Sequence, residues 1–507
     1  MRRAVLCCVL LAVVAGGIVP AVAASHPGVD HDDHDHHAGD GAAESADGDG
    51  FNTGPLGCVE DVCHDDELGL TSSSGLDDDE LEAVIYRSMA RVEELRGERF
   101  EDEIPVEIMS REEFRELGAS EEESDPDRWN NQVWKALFVV DDDTDVSAAI
   151  DETVGGAVTG FYQPSTNEIV LITPDTDAPQ INEQTLIHEF AHALQDQRHD
   201  LTSPQFSGDT QDADLAVTGV YEGEAVYLEN RYEERCATEW ECLDEPPRSG
   251  GGGGGNQGLL MTLLQPYSSG PAYIADVVER EGWAGVDDRM EEPPETTREL
   301  IHRERFDAES IDVDDEATDG WERHSDRGVE GAEVAGEASI FVMFWYQAVE
   351  YDAETIDPSV MHETTHPDEP RNYAAAPSSG WVADELVPYQ RNGDDGYVWT
   401  LEWETADDAD EFRTAYGAIL QAHDATETDE GVYVIDDGGF SGAYALSVDD
   451  TRVTIVHAPT TDGLFELKPD LDPDSVDEET PGFGVAVGLA ALVAAAVVFR
   501  RLGPSSS

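Results

Sequence analysis

Two histidines with three residues between them lie in QTLIHEFAHALQDQRHD, the stretch that spans residues 184–200. On a helix, residues four apart lie on one face a turn apart, so the imidazoles of His188 and His192 can reach a single zinc ion. Glu189 follows the first histidine and can face an open coordination position. A carboxylate there accepts a proton from a water whose pKa the metal lowers. The pattern predicts a hydrolytic zinc site.

Three stretches together resemble a family of predicted gluzincin metalloproteases found in bacteria and among haloarchaeal surface proteins. They are LIHEFAHALQDQRHDL, VYEGEA and GWAGVDDRMEEPPETTRELIH, and the resemblance covers roughly residues 78–310, with a weaker continuation to about residue 460. In gluzincins the third ligand is a glutamate on the next helix, often followed by glycine or another small residue because the backbone approaches the motif helix closely. The resemblance implies zinc ligands His188, His192 and Glu222, and catalytic Glu189.

The stretch that contains Glu222, VYEGEAVYLEN, also allows other assignments of the third metal ligand. Glu224 and then Glu229 are alternatives to Glu222, and an acidic helix that faces solvent is the remaining interpretation. Many gluzincins place an aspartate four residues after the glutamate ligand to orient a histidine, and that position is Val226 here. The expected roles of the residues that continue the motif helix are hydrogen bonds around the ligands or capping of the helix; these residues are Gln195, Asp196 and His199.

The oxyanion that forms when a carbonyl is attacked has three candidate partners: Tyr267, Tyr273 and His302. Packing in the core is the alternative for the two tyrosines. We therefore expect a zinc metallopeptidase that acts on a protein or peptide substrate. The alternative from another class is a non-catalytic surface protein whose zinc site is structural or has lapsed, although Glu189 argues against it because a structural site has no use for a general base. A third interpretation is metal capture by the histidine- and aspartate-rich stretch HPGVDHDDHDHHAGDG.

The composition indicates a folded protein from a salty habitat. The chain has 507 residues and a formal net charge of −85, yet 39% of its residues are hydrophobic and nine are tryptophan, which argues against a disordered chain. In molar salt the Debye length falls to about 3 Å, so repulsion between surface charges fades. A charge of this sign also argues against nucleic acid as a partner.

Both ends of the chain carry targeting signals. MRRAVLCCVLLAVVAGGIVPAVAAS has the basic start, apolar run and small residues of a signal peptide, which we place at residues 1–24. PGFGVAVGLAALVAAAVVFRR predicts a transmembrane segment within residues 481–507. Its first three residues resemble the C-terminal sorting signal of haloarchaeal surface proteins, which implies replacement of the tail by a lipid; a plain single-pass anchor is the alternative. Either way, we expect the protein on the outer face of the cell membrane.

Four cysteines remain after the signal peptide, at positions 58, 63, 236 and 242. Exported proteins form disulfides, and the close spacings favour the pairs Cys58–Cys63 and Cys236–Cys242. Four thiolates on one zinc ion are the alternative.

The order of the predicted elements favours an α+β fold, with a zincin-like catalytic domain and a smaller C-terminal α+β module. We predict a helix in DDDELEAVIYRSMARVEELRG, strands in IPVEIMS and KALFVV, and a hairpin in GFYQPSTNEIVLI that turns at Pro164–Asn167. The apolar AEVAGEASIFVMFWYQAVEY predicts a core helix. The expected segments are a disordered linker (25–75), the metalloprotease domain (76–310), a helical extension (311–378), the module (379–466) and an acidic linker (467–480).

Overall fold

The computed structural model describes residues 51–471 apart from 53, 119–126, 155–157, 245, 247–254, 307 and 312. The predicted signal peptide, the histidine-rich stretch and the C-terminal anchor lie outside the described residues. Within those residues, no helix is both long and apolar enough to cross a membrane. The fold is mixed α+β, as predicted from the sequence.

The first part of the chain is mainly helical. Its elements in chain order are β1 (Cys58–Val59), β2 (Val62–Cys63), α1 (Asp78–Arg96), β3 (Val106–Ser110), α2 (Arg111–Gly118), α3 (Arg128–Ala136), α4 (Val146–Val154), β4 (Gly160–Gln163), β5 (Glu168–Thr173), α5 (Glu183–His199), α6 (Gln211–Thr238), α7 (Gln257–Leu263), α8 (Gln265–Glu281), α9 (Trp283–Glu291) and α10 (Thr297–His302).

The second part is built around a large sheet. Its elements are β6 (Glu322–Arg323), α11 (Gly336–Glu350), β7 (Trp381–Arg391), β8 (Asp394–Trp403), α12 (Ala406–Ala422), β9 (Thr426–Asp429), β10 (Val432–Ile435), β11 (Gly442–Asp449), β12 (Arg452–Ala458) and α13 (Thr461–Leu467). The predicted apolar core helix corresponds to α11, which is buried along most of its length.

A small three-stranded sheet supports the motif helix α5. Its strand order is β3-β5-β4, with β3 parallel and β4 antiparallel to β5, and the hairpin turns at Pro164–Asn167 as predicted. A Cβ added at Gly160 of β4 would lie 3.0 Å from the Cγ2 atom of Thr185, so β4 touches α5 directly. Apolar side chains of the sheet and the helix share one core; they include Tyr162, Ile169, Leu171, Leu186, Ile187 and Phe190. This packing fixes which face of α5 points away from the sheet.

The first turn of α5 is held by a buried ion-pair cluster. Glu183 is 2% exposed, and its carboxylate accepts hydrogen bonds from Arg87 and Arg91 of α1 and from the hydroxyl of Tyr232 on α6. The backbone N–H of Leu243 donates a further bond at 3.1 Å. Glu241, 3.6 Å from Arg87, supplies a second carboxylate, so the cluster ties α1, α5 and α6 together without leaving an uncompensated buried ion.

Helices α6 and α8 cross at very short range. A Cβ added at Gly223 would lie 2.5 Å from the backbone carbon of Gly270, so only glycine allows this approach. The resemblance implies that the glycine after Glu222 lets α6 approach the motif helix, but its close neighbour is α8. The requirement for a small residue was predicted correctly, whereas the partner depends on how three helices pack.

The large sheet has seven antiparallel strands in the order β6-β7-β8-β12-β11-β10-β9. Helices α3, α11 and α12 contribute to the core on one face, and α13 packs on the other. The strand predicted from KALFVV is wrong, because α3 ends at Ala136 and residues 137–140 form buried turns. A short apolar run cannot by itself distinguish a strand from the buried end of a helix.

The cysteines form the two predicted disulfides, Cys58–Cys63 and Cys236–Cys242, so they do not hold zinc. The first disulfide closes the β1–β2 hairpin, which packs against α1, with Glu93 accepting a hydrogen bond from Gly57 N at 3.1 Å. The described part of the predicted 25–75 linker, from residue 51 onward, is therefore largely structured rather than disordered. Polar composition concealed this because a disulfide and contacts to α1 replace a large apolar core.

Four buried carboxylates, which we call the carboxylate junction, lie where α6 begins beside the large sheet; they belong to Asp212, Glu333, Glu337 and Asp384. Asp212 accepts hydrogen bonds from the backbone N–H (3.1 Å) and hydroxyl (2.5 Å) of Thr297 on α10. Glu333 accepts one from Gln211 N at 2.7 Å, and Asp384 of β7 accepts one from Gly336 N at 2.9 Å. The junction therefore joins α6 to α10, α11 and β7.

The carboxylate junction predicts that the protein is less stable in alkaline solution. Burial raises the pKa of Asp212 to about 7 and that of Glu333 to about 8. Carboxylates raised in the folded state stabilise it fully below their unfolded pKa of about 4, and this contribution is lost as pH rises through 7 and 8. We expect a lower melting temperature at pH 9 than at pH 6, and a smaller difference in Asp212→Asn.

Thermal unfolding of the full chain in molar salt at both pH values measures this effect. Between pH 6 and pH 9 the expected loss is on the order of 1–3 kcal/mol per group. Asp65→Asn is the matched control, because Asp65 is exposed. An Asp212→Asn variant with the same pH dependence as the wild type would contradict this account of the junction.

Candidate metal centre

The structure brings the three predicted metal ligands together. His188 and His192 lie one turn apart on α5, and Glu222 reaches them from α6. The two Nε2 atoms are 3.2 Å apart, and Oε2 of Glu222 is 3.4 Å from His188 Nε2 and 3.5 Å from His192 Nε2. All three residues are at most 1% exposed. Two nitrogens and one oxygen thus converge on a small volume inside the protein.

The two alternative glutamates lie elsewhere around the site. Glu224 accepts a hydrogen bond from the side chain of Gln195 on α5 at 3.0 Å and pairs with Arg96 of α1 at 2.5 Å. Glu229 contacts His188, but at the Nδ1 atom, on the side of the ring away from Glu222. Neither carboxylate belongs to the group of converging ligand atoms.

Both histidines have an acceptor at Nδ1. His188 Nδ1 is 3.3 Å from Oε2 of Glu229, and His192 Nδ1 is 2.9 Å from Oε1 of Gln195. A carboxylate and an amide oxygen only accept hydrogen bonds, so each Nδ1 carries the proton and donates it. In a neutral imidazole the other nitrogen then has a free lone pair. The Nε2 lone pairs of both rings consequently face Glu222.

The converging atoms are all acceptors and need a positive charge between them. Burial lowers the pKa of His188, but hydrogen bonding to Glu222 and Glu229 outweighs it and raises that pKa well above the ordinary value. The ligand histidines hold the pKa of Glu222 below its usual value even though burial opposes this. The site thus attracts a proton or a metal ion strongly. Two imidazoles and one carboxylate match the ligands that Zn²⁺ takes in catalytic sites.

Glu189 lies between the two ligand histidines in the sequence and is completely buried. Neither of its carboxylate oxygens makes a hydrogen bond of normal geometry with the described residues. Burial raises its pKa to about 8; His188 opposes the rise, and the negative charge of Glu222 adds to it. A carboxyl group with a pKa near neutral is suited to accepting and returning a proton.

Of the three oxyanion candidates, Tyr267 of α8 lies beside His188, one of the predicted ligands. Its ring is 6.4 Å from that of His188 between centroids and nearly parallel to it, with an interplanar angle of 15°. The hydroxyl of Tyr273 instead donates to Glu299 at 2.9 Å, and Nε2 of His302 lies 2.9 Å from a carboxylate oxygen of Glu337. Tyr273 and His302 are thus engaged with buried carboxylates of α10 and α11.

The three residues that continue the motif helix, Gln195, Asp196 and His199, make different contacts. Gln195 contacts His192, whereas Asp196 accepts hydrogen bonds from Leu201 N at 2.7 Å and from the Tyr162 hydroxyl at 2.6 Å. Asp196 thereby closes the end of α5 and fixes it to β4. His199 lies 3.5 Å from Asp287 of α9. The sequence alone does not indicate that Glu229 orients His188. The one available signal is its spacing of seven residues from Glu222, which places both glutamates on one helix face.

Two regions of the chain match known sequence families. Residues 322–468 match a domain of unknown function, DUF8575, and residues 480–502 match the PGF-CTERM motif. No curated protein and no solved structure matches the chain significantly. The matched domain corresponds to the large sheet with its helices and contains none of the metal-centre residues. The C-terminal motif confirms the location predicted from the sequence: the chain is an exported protein of the archaeal type, anchored at the cell surface.

Proposed function

We propose that this protein is a zinc metallopeptidase of the cell surface that hydrolyses peptide bonds. The observation that carries the proposal is a buried site of three converging acceptors, His188, His192 and Glu222, with the buried carboxylate of Glu189 beside it. Polar atoms that are buried without partners cost free energy, so their retention favours a bound ion. Zinc is the ion whose ligand preferences fit this set.

Charge balance supports the same assignment. Glu189, Glu222 and Glu229 bring three carboxylates to two imidazoles, and all of these side chains are nearly fully buried. Buried charges are tolerated when they are paired or bind a metal. When the three carboxylates are ionised and the imidazoles are neutral, a divalent cation held by His188, His192 and Glu222 would offset the excess of negative charge.

In the proposed reaction, a bound zinc ion supplies a Lewis acid for the peptide carbonyl and lowers the pKa of the attacking water. Glu189 accepts the proton of that water while the carbonyl carbon is attacked. The same carboxyl group then returns the proton to the nitrogen of the leaving amine. Tyr267 forms a wall of the site beside His188.

We assign this chemistry to a zincin-like unit within residues 76–310. Helix α5 packs against the three-stranded sheet, and α6 supplies the third ligand. The N-terminal end of α6 is linked to the segment before α11, and that segment to β7 of the large sheet, through the carboxylate junction. We propose that the sheet module supports the position of α6.

A second candidate function is a non-catalytic surface protein with a structural zinc ion. The observation that favours it is the burial of the ligands, because closed sites are typical of structural zinc. Glu189 opposes it, since a structural site gains nothing from a further buried carboxylate beside the ligands. The two candidates differ in whether the zinc-loaded protein cleaves peptides.

Metal removal separates the two candidates. We expect the full chain in molar salt to cleave unstructured peptides, to lose this activity on treatment with a zinc chelator, and to recover it with added Zn²⁺. Magnesium is the control and is expected to restore nothing, because it prefers a shell of oxygen ligands. A zinc-loaded protein that cleaves no member of a diverse peptide pool would favour the structural role, and cleavage that survives chelation would contradict the zinc mechanism.

A further inference from the structure

We infer that Glu229 and Gln195 are positioning residues, which hold His188 and His192 with their Nε2 atoms towards the metal. The inference rests on the proposed zinc site and concerns how that site is kept in order. Neither residue reaches the converging ligand atoms, and each contacts the Nδ1 atom of one histidine. Their effect on the metal is therefore exerted through the rings.

Glu229 supports His188 from the helix that also carries Glu222. Seven residues on an α-helix are close to two turns, so α6 presents a ligand and an orienting carboxylate on one face. Glu229 is 2% exposed, and its Oε2 atom lies 3.3 Å from His188 Nδ1. Val226, four residues after Glu222, has no carboxylate, so on this helix the carboxylate that contacts His188 lies farther along, at Glu229.

Gln195 supports His192 in an orientation that its own partners determine. Its amide nitrogen donates to Tyr221 O at 2.9 Å and to Glu224 Oε2 at 3.0 Å. Because both of these partners only accept, the amide cannot be flipped without losing two hydrogen bonds. Its oxygen must then face His192 Nδ1, which fixes the proton on that atom and leaves the Nε2 lone pair free.

Gln195 is itself connected to α1 through Glu224 and Arg96. Glu224 Oε1 lies 2.5 Å from Nε of Arg96, and the Arg96 guanidinium lies over the ring of Trp283 at 4.4 Å. Arg96 is 2% exposed, so the ion pair is shielded from water. A continuous series of hydrogen bonds thus runs from His192 through Gln195 and Glu224 to α1.

The two supports differ in charge and should differ in strength. A hydrogen bond from Nδ1–H to a carboxylate fixes the ring and makes its other nitrogen more basic, and loss of such a partner typically weakens metal binding about 10- to 100-fold. Gln195 is neutral and fixes the tautomer and orientation of its ring. We therefore expect Glu229→Gln to weaken zinc binding more than Gln195→Met.

The test is the zinc affinity of the full chain, measured by competition with a chromophoric chelator, together with the visible spectrum of the Co²⁺-loaded protein. Glu229→Gln and Gln195→Met are expected to lower the affinity about 10- to 100-fold and to change the cobalt bands. Glu234→Gln and Gln197→Met are matched controls, because Glu234 is exposed on α6 and pairs with Arg231, and Gln197 bonds to Asp102, away from the ligands. Both controls should bind zinc as the wild type does.

A swap of the supporting groups provides a rescue. The double variant Gln195→Glu with Glu224→Gln keeps an acceptor for His192 and the net charge and moves the donor of the pair from position 195 to position 224. It loses the hydrogen bond to Tyr221 O, so it should recover part of the affinity that Gln195→Met loses. Melting temperatures of the metal-free proteins show whether each variant is folded. If Glu229→Gln does not fold, the zinc affinities of Gln195→Met and of the double variant still test the inference.

The outcomes distinguish this inference from the proposed function. If the wild type binds no zinc, the proposed metal centre itself is wrong. If the wild type binds zinc, but Glu229→Gln and Gln195→Met bind it as tightly as the two controls, the positioning roles are wrong and the metal centre stands.

Discussion

Replacement of Glu189 by glutamine is expected to abolish peptide cleavage and to leave zinc bound. Glutamine has the same shape but cannot accept the proton of the attacking water. Loss of a general base typically costs about 10²- to 10⁴-fold in rate. The three converging ligand atoms, on His188, His192 and Glu222, are untouched by this change. This variant should therefore lose peptide cleavage and keep the zinc content of the wild type.

Steady-state cleavage of a peptide that the wild type cuts, with zinc content measured on the same samples, checks this prediction. Glu333→Gln is a matched control: Glu333 is also a buried glutamate whose pKa burial raises to about 8, but it belongs to the carboxylate junction. Unchanged cleavage in Glu189→Gln would show that Glu189 is not the base. Loss of zinc together with activity would instead show that Glu189 is a ligand.

The local part of the candidate site could be predicted from the sequence. Helical spacing alone places His188 and His192 on one face of α5, and Asn182 begins that helix with a side-chain cap at 3.0 Å to Gln184 N. The hairpin before it follows from turn residues between two apolar runs. These features depend on residues close in sequence, so they could be predicted without knowledge of tertiary packing.

The choice among the three glutamates of α6 could not be made on local grounds alone. Glu222, Glu224 and Glu229 all lie on one helix in an acidic stretch. Their different roles depend on how α6 crosses α5 and on where α1 brings Arg96. The resemblance favoured Glu222, and the structure places that residue at the converging atoms. The supporting roles of the other two are set by tertiary contacts.

Elements with mixed polarity were the hardest to predict. Strand β7 carries Asp384 and Pro388 among its apolar residues, which conceals an alternating pattern. Asp384 is nevertheless buried, because two backbone amides at the start of α11 and two indole N–H groups donate to it. A buried carboxylate of this kind is stable only with partners far away in the sequence, and local patterns do not include them.

The most direct test of the central claim is the zinc content of the full chain in molar salt, for the wild type and for Glu222→Ala. Glu233→Ala is the control, because Glu233 lies on the same helix and contacts Gln184 rather than a ligand. The proposal predicts about one zinc ion per chain in the wild type and the control, and a lost or much weakened ion in Glu222→Ala. A wild type that binds no zinc would contradict the proposal, because His188 and His192 would then be only packed side chains of a buried helix.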